Sequence, residues 1–146
     1  MTYKTLLILL IFIGLCIWYI LIKTPKQYIF TFTYDNTLKR YMIHGLWLDT
    51  TTYCNGYIYN VPYDPHNFIK NNWYDRNLNT SKNTLFKYEY IKHGTCFNLT
   101  STEYMNLVKQ LYEKYYNKYI LNNKSNKKEI WLYLDENYDI YKIRYK

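Results

Sequence analysis

The chain opens on an apolar run, residues 6–22, set between Lys4 on one side and Lys23, Pro25 and Lys26 on the other. Basic flanks around such a run direct a chain to a secretory membrane. Bulky Trp18, Tyr19, Ile20 and Leu21 occupy the end where a cleavable signal carries small residues, which favours an uncleaved signal anchor, with cleavage and secretion as the alternative. The expected organisation is an anchor over residues 1–26, touching the membrane through residues 6–22, and one domain over residues 27–146 that is luminal or extracellular.

Past the anchor the period changes to two. Over residues 27–34, Tyr28, Phe30, Phe32 and Tyr34 alternate with Ile29, Thr31 and Thr33, the signature of a strand. A turn at Asp35, Asn36 and Thr37 leads to a second short strand over residues 40–44, which delivers His44 at or near its end. Residues 49–72 are broken by Asn55-Gly56, Val61-Pro62 and Asp64-Pro65, so loop is expected there, with a short helix at most over residues 68–73. Residues 84–93 are compatible with a helix stopped by Gly94. The clearest helix covers residues 101–120, with Thr100 and Glu103 as a capping box and Tyr104, Leu107, Val108, Leu111, Tyr112, Tyr115 and Tyr119 as its core stripe. Residues 129–134 and 138–143 read as a hairpin around Asp135, Glu136 and Asn137. The fold class expected is α+β, a mainly antiparallel β-sheet packed with helices.

Charge and cysteine usage add to this. The net charge is +8, and without Lys4, Lys23 and Lys26 the domain still holds 16 basic against 11 acidic residues, which favours polyanions or anionic surfaces. Tyrosine is abundant at 21 beside 4 Gly and 3 Pro, a bias that AT-rich codons explain, so no single tyrosine counts for much as a stacking platform. Cys16 falls within the apolar run, leaving Cys54 and Cys96 as an even pair that an oxidising compartment would bridge; two free buried thiols are the alternative. Asn79, Asn98 and Asn123 each begin an Asn-x-Ser/Thr acceptor pattern compatible with the same compartment.

Candidate chemistry is concentrated in two segments, Ile43-His44-Gly45-Leu46-Trp47 and Glu89-Tyr90-Ile91-Lys92-His93-Gly94-Thr95-Cys96. On a helix, Glu89, Lys92 and His93 stand at i, i+3 and i+4 and share one face. An imidazole titrates near neutral pH, so His44 and His93 supply the acid and base that phosphodiester cleavage needs, while a lysine offsets charge on phosphoryl oxygens and a glutamate orients its neighbours. Taken singly, each residue is more often a solvated ion-pair member or a structural histidine. His66 reads as a surface histidine, and the basic stretch at residues 124–128 as a solvated loop with some capacity for phosphate. Zinc held by His44, His93, Cys54 and Cys96 is conceivable, but close ligand pairs are absent, so no metal and no cofactor are expected.

In order and type, the two segments resemble the active-site segments of the ribonuclease T2 family. Met42-Ile43-His44-Gly45-Leu46-Trp47-Leu48-Asp49 is similar to its apolar-x-His-Gly-Leu-Trp-Pro-Asp, with Leu48 in place of the usual proline. Leu85-Phe86-Lys87-Tyr88-Glu89-Tyr90-Ile91-Lys92-His93-Gly94-Thr95-Cys96 is similar to its Phe-Trp-x-His-Glu-Trp/Tyr-x-Lys-His-Gly-Thr-Cys, with Tyr88 in place of a histidine. The resemblance implies an endoribonuclease acting on single-stranded RNA through a 2′,3′-cyclic phosphate. His93 would be the base for the ribose 2′-hydroxyl and His44 the acid for the leaving 5′-oxygen, with Glu89 and Lys92 stabilising the transition state. It further implies that Trp47 and Asp49 hold the upstream base, that Tyr88 donates to phosphate without positive charge, and that Cys54 and Cys96 form the family's disulfide. A catalytically weak relative that binds RNA or acts at a cell surface is the rival reading, motivated by Tyr88 and by a C-terminus shorter than the family's.

Overall fold

The computed structural model describes residues 3–22, 26–49, 51–54, 58–73, 84–123 and 127–146. The alternating segments form strands β1 (Tyr28–Asp35), β2 (Arg40–Leu48), β3 (Glu129–Leu134) and β4 (Ile140–Tyr145). They make one antiparallel sheet in the order β2-β1-β3-β4, so the C-terminal hairpin is added to the free edge of β1. Side chains on the Asx-type turns close both hairpins: Asp35 Oδ1 accepts the amides of Thr37 and Leu38, each at 2.8 Å, and Asp135 Oδ1 accepts those of Asn137 and Asp139, each at 2.9 Å. The longer second turn starts β4 two residues later than the periodicity predicts.

Period two sends Phe30, Phe32, Ile43, Leu46, Ile130 and Leu132 to one face, where all are fully buried. Helices α2 (Phe68–Asn72), α3 (Thr84–Lys92) and α4 (Ser101–Tyr115) cover the core with Ile69, Phe86, Tyr90, Tyr104, Val108 and Leu111. α4 starts at the predicted capping box: the Glu103 amide donates to Thr100 Oγ1 at 3.3 Å, and Thr100 N donates to Glu103 Oε2 at 2.8 Å. Its far end differs from expectation, because Tyr116–Ile120 forms a wider π-helical turn. That turn leaves both Tyr115 and Tyr116 buried, one hydroxyl donating to the Tyr138 carbonyl and the other to the Tyr41 carbonyl. Core tyrosines repeat this device: Tyr90 donates to Leu99 O at 2.9 Å, and Tyr41 to Lys127 O at 2.8 Å. An aromatic ring thus fills the core while its hydroxyl satisfies a carbonyl that a loop would otherwise leave bare.

The apolar N-terminal run forms helix α1 (Tyr3–Ile22), with Ile8, Leu10, Ile11, Phe12 and Leu15 exposed. Among the described residues, no helix is long and apolar enough to cross a membrane. The acceptor pattern at Asn79, the Asn55-Gly56 turn, residues 124–126 of the basic stretch and the end of the Asn123 pattern lie outside the described residues. Asn98 is exposed in a left-handed conformation.

Candidate active site

β2 runs past its predicted end, through the whole His-Gly-Leu-Trp segment to Leu48, and bulges at the histidine. Thr31 pairs with Gly45 and Phe32 with Ile43, which leaves His44 as the extra residue in β2. A bulge reverses side-chain parity: Tyr41 and Ile43 before it, and Leu46 after it, all reach the core. His44 is thereby aimed at the other face of the sheet. There its Nδ1 lies 3.1 Å from Thr33 Oγ1 and its Nε2 lies 3.6 Å from Glu89 Oε1. The main chain at this point is fixed from behind, where the buried Trp73 donates Nε1–H to the His44 carbonyl at 2.7 Å. Tyr104, also fully buried, donates to Leu46 O at 2.6 Å and accepts from Leu46 N at 3.3 Å. Burial drives the Tyr104 pKa well above its ordinary value, with the Glu89 charge adding to the rise, so the hydroxyl keeps the proton it donates.

Glu89 comes from α3, which flanks the β2 edge, and it is almost fully buried. Its Oε2 accepts the Trp47 indole N–H at 2.7 Å while its Oε1 faces His44. The common fate of Glu and Lys at helical spacing, a solvated ion pair, is not what forms here. Lys92 instead places its ammonium 5.4 Å from the Tyr88 ring centroid. His93 sits just beyond the end of α3, its amide still bonded to the Glu89 carbonyl at 2.8 Å. Trp47 lies between the two histidines, with ring centroids 5.5 Å from His44 and 5.2 Å from His93. The structure therefore brings His44, Trp47, Glu89 and His93 into one cluster.

The two rings differ in environment. His93 is 7 % exposed, and its Nδ1 is buried without a hydrogen-bond partner. Burial pushes its pKa below the ordinary histidine value of 6.5; Glu89 and the Thr51 main chain oppose the shift, while Lys92 and His44 reinforce it. The His44 side chain is 34 % exposed, and its Nε2 faces a buried carboxylate. One ring suited to accept a proton and another suited to give one share a single indole.

Both glycines that follow the histidines permit close approaches. A Cβ at Gly45 would overlap the Glu89 carboxylate and lie 2.6 Å from Trp47 Nε1, while one at Gly94 would lie 2.6 Å from the Tyr90 ring. α3 ends before Gly94, as expected, and a 3₁₀ turn, Gly94–Phe97, carries the chain on to Cys96. Gly45→Ala is expected to cost about 1–3 kcal/mol from overpacking and to lower activity by displacing Glu89. Denaturant midpoints and cleavage rates of the variant check both effects.

The bridge between Cys54 and Cys96 is present, with α-carbons 4.9 Å apart, so neither sulfur is free for zinc. It ties the loop after β2 to the end of α3, where Tyr53 N also donates to Lys92 O at 2.7 Å. Asp49 is exposed just past β2, its amide bonded to Gln27 O at 3.0 Å, and Tyr88 is 48 % exposed on α3. His66 is exposed in the loop before α2, apart from the cluster. Thr33, Trp73 and Tyr104 escaped the sequence reading; only the place of Thr33 in the alternating strand and of Tyr104 in the helical stripe signalled their packing.

The model of the ribonuclease T2 family matches residues 8–143. Among curated proteins and solved structures, none matches the chain.

Proposed function

The chain belongs to the ribonuclease T2 family, and from that premise we propose that it cleaves single-stranded RNA by acid/base catalysis between His93 and His44. The observation that carries this reading is the unlike setting of two imidazoles on one indole, one held neutral by burial and the other facing the Glu89 carboxylate. Neutral His93 takes the proton of the ribose 2′-hydroxyl, the oxygen attacks the adjacent phosphorus, and His44 gives its proton to the departing 5′-oxygen. The first product carries a 2′,3′-cyclic phosphate, which water opens with the two rings in exchanged roles. Glu89, fixed by Trp47, holds the His44 ring and its charge, and Lys92 offsets the charge growing on the phosphoryl oxygens. Asp49 and Tyr88 are the polar groups proposed to meet base and phosphate. No step requires a metal ion or a cofactor.

RNA and DNA of one sequence, incubated with the protein in the presence of a chelator, test the reading. Shortening of the RNA alone is expected, because DNA lacks the attacking hydroxyl; intact RNA would exclude the enzyme and favour the rival. That rival, an RNA-binding relative of low activity, draws support from Tyr88, whose phenol brings no positive charge and whose ring engages Lys92.

The pH dependence follows from His93. Its depressed pKa keeps it neutral into mildly acid solution, so the acid limb of kcat/KM is expected below 6.5. The same shift acts on stability. An unfolded chain binds the proton at the ordinary value and the folded one only lower, so stability is expected to decline as pH falls from 6.5 through the folded pKa. A kcat/KM profile and thermal midpoints across that window check the two signs, and an acid limb above 6.5 would contradict them.

The disulfide and the family both fit the secretory pathway. We further propose that α1 acts as a signal anchor with the domain boundary at residue 26. Its apolar run, residues 6–22, stands between Lys4 and Lys23, the basic flanks of a signal segment. The exposed Asn98 is a proposed glycan acceptor.

A further inference from the structure

The proposed chemistry uses only one end of the second sheet face. Beyond it, the β3–β4 register sets Trp131 opposite Arg144 and Tyr133 opposite Lys142, all on the side away from the buried Ile130, Leu132 and Leu134. An irregularity between Tyr133 and Leu134 in this pairing brings Tyr141 to the same side, where its ring lies 6.3 Å from that of Tyr133. The rings are continuous with the candidate site. Trp47 meets Trp131 at 5.2 Å, and Trp131 meets Tyr133 at 6.4 Å.

Cations accompany the rings. Lys146 Nζ lies 3.1 Å from the Trp131 centroid and Lys142 Nζ lies 5.4 Å from that of Tyr133, and Lys142, Arg144 and Lys146 are all exposed. Two carboxylates border this face. Glu129 accepts the Trp131 indole N–H at 2.9 Å, and Asp49 lies near Tyr141, whose hydroxyl donates to Gln27 Oε1 at 3.1 Å. Alternating aromatic faces and exposed cations are what a single strand requires, since bases stack on the rings while the phosphates follow the positive charge.

We propose that the outer face of β3 and β4 is an extended subsite for single-stranded RNA, engaging nucleotides beyond the bond that is cut. Trp131, Tyr133 and Tyr141 offer stacking surfaces, and Lys142 and Arg144 meet phosphates. The proposal rests on the ribonuclease reading of the adjoining site, because continuity with Trp47 is what selects RNA as the occupant. Lysines on an edge strand also discourage edge-to-edge pairing, and that simpler role predicts no effect on RNA.

The test uses the full chain and two probes. One is a twelve-nucleotide 2′-O-methyl RNA, which cannot be cut; the other is kcat/KM on a dinucleotide compared with a twelve-nucleotide RNA. In Lys142→Ala/Arg144→Ala, affinity for the uncut strand is expected to fall about tenfold and its log–log salt slope to shrink by about 1.4, the value for two lost phosphate contacts. Dinucleotide cleavage should be unchanged while cleavage of the longer strand slows. Tyr141→Ala should weaken binding with little change in salt slope. Unaltered binding in both variants overturns the subsite, as does an equal loss on dinucleotide and long strand. If the wild-type chain cuts neither RNA, the ribonuclease reading fails, and the uncut strand still decides the subsite.

Discussion

Replacing either His44 or His93 with alanine is expected to lower RNA cleavage by about 10²–10⁴-fold, the contribution of a positioned acid or base. The two losses should not add, because both rings act in the same transesterification step, one at the attacking and one at the leaving oxygen. The His44 side chain is part-exposed, and Trp73 bonds to its carbonyl rather than its ring, so His44→Ala should keep the fold. His93 is buried against Trp47, and its alanine variant removes packing as well as a base. Circular dichroism at the assay temperature separates the two effects. Glu89→Gln offers a finer reading, since an amide oxygen still accepts the Trp47 indole N–H while the charge facing His44 is gone. Cleavage is then expected to slow while the fold is kept, because His44 loses the charged partner that orients its ring.

Loss of the disulfide ranks second in expected effect. Cys54 and Cys96 close a loop of 42 residues, for which chain entropy predicts about 4 kcal/mol of stabilisation. The bridge holds the segment that carries Thr51 and Tyr53 against the end of α3, next to His93. Cys54→Ser/Cys96→Ser, or reduction of the native chain, should therefore lower the denaturant midpoint. It should also lower activity below the temperature at which the fold is lost, as the wall beside His93 loosens. Paired denaturation curves and rates with and without reductant check this; unchanged rates in a reduced, folded protein would separate the bridge from the site.

Much of the fold was legible in the sequence, for identifiable reasons. β1 alternates cleanly, with Phe30 and Phe32 in the core and the buried Thr31 on the opposite face, bonded to Gly45 O at 3.0 Å. α4 carries a complete capping box, and its helical stripe packs where the spacing places it. The even cysteine pair forms the bridge that the compartment implied. β2 runs beyond the end that its alternation predicts near His44, since a bulge at that residue shifts the alternation and Gly45 interrupts it. Burial of Glu89 was not legible, because helical spacing alone cannot say that α3 lies across the β2 edge. Nor was the clasp by Trp73 and Tyr104, which depends on contacts far apart along the chain. Codon bias accounts for the number of tyrosines, but not for the hydroxyls that tether main-chain carbonyls or the rings that line the β3–β4 face.

Tyr88 stands where the resemblance to the family expects a histidine. A tyrosine there donates a hydrogen bond but contributes no cation, and the Lys92 ammonium lies 5.4 Å from its ring centroid. The two histidines and the buried glutamate do not depend on it. On the proposed reading, chemistry and phosphate affinity are separable, the first assigned to the β2 bulge and the end of α3, the second to Lys92 and the basic sheet face.

The central claim is that the 2′-hydroxyl is the nucleophile, and the end groups of early products test it most directly. Mass spectrometry of a single-stranded RNA cut by the purified, oxidised protein in the presence of a chelator is predicted to show 2′,3′-cyclic phosphate on one fragment and a 5′-hydroxyl on the other. Fragments that carry a 5′-phosphate, or RNA that is bound and left whole, would contradict it.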